Sequence, residues 1–219
     1  MTGGVAVCVY CASSPDIPPH YLELAAAVGR EIARRGWELV SGGGRVSMMG
    51  AVATAARAGG ARTTGVIPQA LLDLEVADTS ADELLVTRTM RERKALMEAR
   101  ADAFLTLPGG IGTCEELFEV WTAGTLGMHA KPVVLLDPDG HYAGLLAWLD
   151  GLGERGFFRT DALARLVVVT DVPAALDACV PGLPAHRAGR EGADSGRAAD
   201  GDAGPDLLMQ ECVVQVADQ

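Results

Sequence analysis

The chain has 219 residues, of which 49% are hydrophobic and 21% are charged, and its formal net charge is −11. This composition is typical of a globular protein with one sizeable core. The acidic balance argues against nucleic acid or an anionic membrane as a general partner, and no run approaches the ~20 apolar residues of a membrane span.

The chain contains five cysteines, which is an odd number. Cys8 and Cys11 form a C-x-x-C pattern, but they lie in an apolar run that is typical of a strand, whereas a redox or zinc pair needs a turn or a helix start. We therefore interpret them as core thiols. The N-terminus has no basic segment of the secretory type, so we expect the protein to act in the reducing cytoplasm.

Apolar runs and helical patches alternate along the chain. The predicted strands cover residues 5–10, 37–41, 61–68, 83–87, 103–107, 131–137 and 166–170. The predicted helices cover residues 18–36, 48–60, 89–102, 113–127, 141–156 and 172–180. Continuous apolar strands between helices predict an α/β fold, a doubly wound, Rossmann-like parallel sheet with helices on both faces. Ligands bind such sheets beyond the carboxyl ends of the strands.

The composition changes near residue 185. We predict a single Rossmann-like domain over residues 1–184. Residues 185–219 are rich in Gly, Ala, Asp and Arg without an apolar period, which predicts a disordered or loosely docked tail.

Two glycine-rich turns follow predicted strands, and neither matches a familiar nucleotide motif. The turn after the first strand, CASSPDIPP, lacks glycine, and the turn at 108–112 is followed by carboxylates, so a dinucleotide fingerprint is disfavoured. No Lys-Ser/Thr pair follows SGGG, which disfavours a P-loop. What remains is a phosphate held by backbone N–H groups at a helix start. The residues suited to this are Gly42, Gly43, Gly44, Gly109, Gly110, Gly112 and, through its hydroxyl, Thr113.

The carboxylates after the second turn have two interpretations. The segment Thr113 to Glu116 matches a capping box, and taken alone it favours that structural role. A cap, however, does not need the glycines of 109–112, and a carboxylate beside an anion site should have another task. Cleavage of a glycosidic bond supplies one, because its transition state resembles an oxocarbenium ion. A carboxylate there stabilises positive charge, orients ribose hydroxyls or activates water.

The segment MRERK also has two interpretations. A solvated helix face with a Lys94–Glu98 pair is the ordinary role of such charges. In the functional alternative, Arg93 makes a forked contact to a phosphate or a leaving base and Lys94 supplies a point charge. We expect Met90 and Met97 of this helix to pack rather than to bind a ligand.

These motifs together resemble one family. PGGIGTCEE matches the pattern P-G-G-x-G-T-x-x-E, and with MRERK and SGGGRVSMMG it is similar to the Lonely Guy family of cytokinin riboside 5′-monophosphate phosphoribohydrolases over residues 5–180. The resemblance implies hydrolysis of an N6-modified AMP such as isopentenyl-AMP, or of AMP, to the free base and ribose 5-phosphate. It also implies no organic cofactor and a homodimer with sites near the interface.

The resemblance implies that Arg93 and Glu116 are the catalytic pair. The implied nucleotide contacts are Glu75, Arg93, Lys94, Gly109, Gly110, Ile111, Gly112, Thr113, Cys114, Glu115 and Thr122. The chain departs from the family's Y-G-G-G-x-x-G-L-M-G at Ser41, Ser47 and Met48, and it has TAGTLG where the family has T-W-A-Q-L-G. The loss of a Trp and a Gln beside the site bears on which base is preferred.

Two other classes of protein compete with this interpretation. A lysine decarboxylase would need pyridoxal phosphate on a lysine, and the chain has only Lys94 and Lys131. A non-catalytic carrier of a nucleotide or phosphate ligand would share the fold but would not need a glutamate beside the sugar. The histidines are scattered at positions 20, 129, 141 and 186 and predict no metal site.

Overall fold

The computed structural model describes residues 4–73, 76–158, 160–180 and Gly182. Within them, seven parallel strands form one sheet in the order β4-β3-β2-β1-β5-β6-β7. The strands are β1 (Ala6–Tyr10), β2 (Glu38–Ser41), β3 (Thr63–Pro68), β4 (Glu83–Thr87), β5 (Ala103–Thr106), β6 (Val133–Leu136) and β7 (Leu166–Val169). The helices are α1 (Pro19–Arg34), α2 (Ser47–Ala58), α3 (Gln69–Leu72), α4 (Met90–Arg100), α5 (Ile111–Thr125), α6 (Ala143–Glu154), α7 (Thr160–Ala164) and α8 (Val172–Ala178).

The strand order reverses beside β1. Val7 of β1 is in register with Leu39 of β2 on one side and with Ala103 of β5 on the other. The chain first builds the sheet outward to β4 and then returns to β5 at the other side of β1. The loops after β1 and β5 therefore diverge, and they leave a crevice at the carboxyl ends of the strands.

A separate hydrophobic core covers each face of the sheet. Along β1, Val7 and Val9 point into the core with α1, α2 and α8, whereas Cys8 and Tyr10 point into the core with α4, α5 and α6. This alternation follows from the two-residue period of a strand. The predicted doubly wound sheet with helices on both faces is confirmed.

Cys8 and Cys11 are free thiols that lie on opposite faces of the sheet. Burial raises the pKa of Cys8 to about 12, so the group is an inert thiol at neutral pH. The interpretation of the C-x-x-C pattern as core is confirmed.

The element bounds agree with prediction to within a few residues, with two kinds of exception. The short helices α3 and α7 were not predicted, and α5 begins at Ile111 rather than at Thr113. The predicted tail at 185–219 lies outside the described residues, so that boundary stays a prediction. Among the described helices, none is long and apolar enough to cross a membrane.

Ser47, where the family pattern has glycine, begins α2 in a strained conformation. Its φ is 53°, and it is the one non-glycine residue with positive φ in the described part of the chain. Its hydroxyl oxygen is buried, and among the described residues it has no hydrogen-bond partner. A side chain in this region of φ costs about 1–2 kcal/mol, which glycine avoids.

Replacing Ser47 with glycine should therefore raise the free energy of unfolding by roughly 0.5–1 kcal/mol. The relief of strain is offset in part by the greater freedom of glycine in the unfolded chain. Chemical denaturation measures the change. Ser47→Ala is the matched control, since it removes the hydroxyl and keeps the strain, and a glycine variant no more stable than the alanine variant would contradict the argument.

Candidate active site

A cavity of about 720 Å³ opens at the carboxyl ends of the strands, where the sheet order reverses. Its size falls within the ~300–1,000 Å³ that is typical of small-molecule sites. Its walls come from the loop after β1, the glycine turn after β2, the end of β3, the start of α4 and the turn into α5. The crevice expected from the doubly wound sheet is therefore a ligand-sized space.

The turn into α5 presents an uncapped helix start to this cavity. Gly110 is the N-cap residue of α5, and no side chain among the described residues caps it. A Cβ added at Gly110 or Gly112 would meet nothing within 4 Å, so the backbone is open to a ligand. The first N–H groups of a helix have no partner inside the helix, and together with the helix dipole they suit an anion.

The capping box predicted from Thr113 and Glu116 is wrong. Thr113 is the third residue of α5 rather than its cap, and it is buried. A Cβ on Gly109 would lie 2.2 Å from the Thr113 hydroxyl oxygen, so Gly109 has to be glycine to let the turn fold against α5. Glu116 reaches another helix instead of its own backbone.

Glu116 pairs with Arg93 of α4 across the cavity wall. The Arg93 Nη1 donates to Glu116 Oε1 at 2.9 Å, and the side chains are only 9% and 13% exposed. The Arg93 Nε donates to the Val66 carbonyl at 3.1 Å. A Cβ on Gly42 would lie 1.9 Å from Arg93 Nη2, so the glycine after β2 makes room for the guanidinium. The solvated-face interpretation is therefore wrong for Arg93.

Burial is the largest influence on the Glu116 carboxyl, and it raises the pKa of that group. The neighbouring Arg93 opposes the rise, since a positive charge favours the ionised form. Glu116 is thus a desolvated carboxylate whose charge is supported by one buried cation. In such surroundings its interaction with a positive charge on a substrate is stronger than in water.

The solvated-face interpretation expected Lys94 to pair with Glu98. The structure shows instead that Lys94 pairs with acidic residues of α5. Its ammonium contacts the carboxylate of Glu115 and lies 2.9 Å from Glu119 Oε2. These two acids, Glu115 first, raise the pKa of Lys94. The lysine therefore joins α4 to α5 beside the Arg93–Glu116 pair.

The structure brings most of the predicted site residues to one cavity. The cavity wall includes Gly44, Arg93, Gly109, Gly110, Ile111, Gly112, Thr113, Glu115 and Glu116. Gly43, Lys94, Cys114 and Thr122 do not border it, and Glu75 lies outside the described residues. The roles of all these residues stay predictions. Among the described residues, no group of three or more His, Cys, Asp or Glu is placed to hold a metal ion.

Sequence reasoning missed several residues of the cavity wall. Ser13 and Ser14 follow β1, and Tyr21 and His141 lie near the α5 turn. The serines were passed over because their turn lacks glycine, although their place after a central strand points to the site. Met90 was expected to pack, but it is 48% exposed and borders the cavity. The other missed residues are mostly apolar: Cys11, Ala12, Ile17, Val46, Met48, Met49, Ile67, Leu71, Val76 and Pro108.

Comparison with known proteins identifies close relatives. The family model described as possible lysine decarboxylase matches residues 49–179. A cytokinin riboside 5′-monophosphate phosphoribohydrolase of Mycobacterium tuberculosis is 59% identical over 181 residues, which are 83% of this chain and 96% of the relative. The enzyme of that name from Mycobacterium marinum is 58% identical over 180 residues, 82% of this chain and 96% of the relative. One from Arabidopsis thaliana is 43% identical over 164 residues, 75% of each chain.

Solved structures with a similar fold include proteins named for another ligand. The molybdenum cofactor binding protein of Rippkaea orientalis has a TM-score of 0.62 at 20% identity and covers 81% of this chain and 96% of its own. The molybdenum cofactor carrier protein of Chlamydomonas reinhardtii has a TM-score of 0.62 at 23% identity and covers 80% and 95%. At this identity the likeness shows the fold alone.

The family model spans more than half of the chain, and the mycobacterial relatives match it over almost their whole length. The glycine turn and the Arg93–Glu116 pair that carried the resemblance in the sequence meet at one cavity. The chain therefore belongs to the Lonely Guy family, which the possible lysine decarboxylase model describes.

Proposed function

We propose that the protein hydrolyses the N-glycosidic bond of a purine nucleoside 5′-monophosphate, releasing the free base and ribose 5-phosphate. The substrate is an N6-modified AMP such as isopentenyl-AMP, or AMP itself. The observation that carries the proposal is the buried Arg93–Glu116 pair on the wall of the cavity that also receives the uncapped start of α5. Relatives up to 59% identical are named for this reaction.

The arrangement of α5 suits a ribose phosphate. Gly112 and Glu116 are four residues apart in α5, so they share one face of the helix at about 6 Å along its axis. The open N–H groups hold the phosphoryl end, and the carboxylate lies one helical turn farther on, beside the sugar. Anchoring the phosphate positions the anomeric carbon of the sugar beside the carboxylate. The substrate then loses little further translational or rotational freedom on reaching the transition state.

In the reaction, the bond between C1′ and the base nitrogen breaks, and its electron pair leaves with the base. The sugar gains positive charge, which the Glu116 carboxylate stabilises. The hydrogen bond from Arg93 uses Oε1, so we assign the contact with the sugar or water to Oε2. Water adds its hydroxyl to C1′, and its proton completes the valence of the released base.

The competing classes fit the site less well. A Schiff-base lysine needs a lowered pKa, whereas pairing with Glu115 raises the pKa of Lys94. Lys131 donates to the Glu98 carbonyl at 2.6 Å, away from the cavity wall. A carrier has no use for a buried carboxylate beside the sugar, and its support is limited to the shared fold.

Supplying AMP and isopentenyl-AMP to the purified protein should release free base and ribose 5-phosphate, detectable by chromatography. Glu116→Gln should lower kcat by roughly 10²-fold or more, the usual effect of removing one group that stabilises transition-state charge, while AMP still binds in calorimetry. Unchanged turnover in this variant would contradict the role of Glu116, and AMP binding without turnover in the unchanged protein would support a carrier.

The pH profile tests the same group. Because burial raises the pKa of Glu116 above the ordinary value of 4.5, kcat/KM should fall with acidity through a pKa above 4.5. This limb should be absent from the residual activity of Glu116→Gln. The phosphate of the substrate also titrates near pH 6, so its contribution remains in the variant and serves as the internal control.

Gly42→Ala should lower activity by at least roughly tenfold, and it should also lower the free energy of unfolding, because it disturbs a buried ion pair. The new Cβ would displace the Arg93 guanidinium, which is the mobile end of a flexible side chain, rather than the backbone. Steady-state kinetics and thermal unfolding measure the two effects. Gly144→Ala in α6 is the control, since its Cβ would meet nothing within 4 Å. Activity equal to that of the control would show that Arg93 does not depend on this glycine.

The proposed function includes a homodimer with sites near the interface. Ile111, at the start of α5, is 90% exposed, and Leu126 and Met128, just beyond its end, are 66% and 72% exposed. Thr122 lies ten residues beyond Gly112, roughly 15 Å along the helix, so it reaches a nucleotide only if α5 approaches the cavity of a second copy.

The described cysteines, Cys8, Cys11, Cys114 and Cys179, are free thiols, which accords with the cytoplasm as the proposed location.

Sedimentation equilibrium should give the mass of a dimer for the unchanged protein. The double variant Leu126→Glu/Met128→Glu should be monomeric and less active, because charges oppose burial of this surface. Phe157→Glu is the control, since Phe157 is 72% exposed beyond the end of α6. A monomeric unchanged protein with full activity would contradict the proposal.

A further inference from the structure

The carbonyl groups of the turn between β5 and α5 are tied to neighbouring loops. The Leu107 carbonyl accepts from the Tyr142 hydroxyl at 2.9 Å, and the Pro108 carbonyl accepts from the Ala12 N–H at 3.2 Å. The Gly109 carbonyl is 3.0 Å from His141 Nε2. A carbonyl oxygen has no proton to donate, so Nε2 is the protonated nitrogen in this contact.

The His141 contact determines the direction of one backbone amide. A trans peptide is planar and its N–H points opposite to its C=O, so holding the Gly109 carbonyl also orients the Gly110 N–H. Glycine on both sides of this peptide would otherwise let the plane rotate at little cost. Gly110 borders the cavity, so its oriented amide is one that a ligand there can meet.

Neighbouring aromatic rings hold His141 in place. Its ring packs edge-on against Tyr142, with centroids 4.7 Å apart, and against Tyr21 at 5.9 Å. Asp139 accepts a hydrogen bond from Tyr21, and this bond is the main reason that the pKa of Tyr21 is raised. The imidazole ring of His141 is thus held by Tyr142, in the loop before α6, and by Tyr21 of α1.

We propose that His141 is a positioning residue for substrate phosphate, which it serves by locking the Gly109–Gly110 peptide with its N–H toward the cavity. The inference rests on the proposed function in that the ligand carries a phosphoryl group. His141 acts on binding rather than on bond cleavage, because it touches the turn and lies apart from the Arg93–Glu116 pair in the hydrogen-bond network.

The experiment compares His141→Leu with His141→Gln. Leucine removes the donor, whereas the glutamine amide keeps an N–H at a similar distance from the Gly109 carbonyl. We expect His141→Leu to raise KM for AMP roughly tenfold, the value of one hydrogen bond, with kcat within about twofold, and His141→Gln to restore most of the loss. Adenosine, which lacks the phosphate, should bind both variants as it binds the unchanged protein.

A second measurement is independent of turnover. Titrating inorganic phosphate into ¹⁵N-labelled protein should shift the Gly110 amide resonance, weakly in His141→Leu and strongly in His141→Gln and the unchanged protein. Gly144→Ala in α6 is the control, because its Cβ would meet nothing within 4 Å.

The outcomes separate the two proposals. If the unchanged protein binds phosphate at Gly110 and His141→Leu does not, the inference stands, whether or not AMP is cleaved. Cleavage of AMP by His141→Leu with unchanged KM would overturn the role of His141 and leave the proposed function intact. No phosphate-dependent shift at Gly110 in the unchanged protein would overturn the inference as well.

Discussion

The site depends on burying one pair of opposite charges, Arg93 and Glu116. Each charge is tolerated only because the other is present and because the remaining donors find acceptors. The guanidinium meets this requirement through the Val66 carbonyl at the end of β3 and through the space left by Gly42 after β2. Two strand ends and two helices are therefore shaped around a pair that the hydrophobic core does not need, which is the mark of a functional constraint.

The glycine turn at the start of α5 suits a negatively charged group, whereas the Glu116 carboxylate suits a positively charged one. His141 holds the Gly109 carbonyl, so the N–H of Gly110 points the opposite way from the same peptide. The uncapped start of α5 suits an anion, and the Glu116 carboxylate one turn later suits a developing positive charge. A nucleoside monophosphate carries a phosphate at one end and develops positive charge on the sugar when its glycosidic bond breaks. The polarity of the cavity and that of the reaction agree.

Several errors of the sequence interpretation share one cause. Thr113 to Glu116 has the spacing of a capping box, yet Thr113 is buried against Gly109 and Glu116 pairs with Arg93. Lys94 and Glu98 have the spacing of a helical ion pair, yet Lys94 finds two acids on α5. Local sequence patterns predict the contacts that an isolated helix would make. A partner from another helix replaces such a contact when it offers a stronger interaction. Ser13 and Ser14 were missed because their turn lacks glycine, and His141 was missed because nothing in its own segment marks it.

The sequence by itself determined the alternation of strands and helices, the parallel sheet and the glycine-rich turn at 108–112. These are local properties, since they follow from side-chain periodicity and from the backbone freedom of glycine. Only the tertiary structure decided which side chains meet. Arg93 and Glu116 are 23 residues apart, and Gly109 and His141 are 32 apart. Their contacts exist because the strand order reverses at β1 and brings the loops after distant strands to one crevice, which no local pattern encodes.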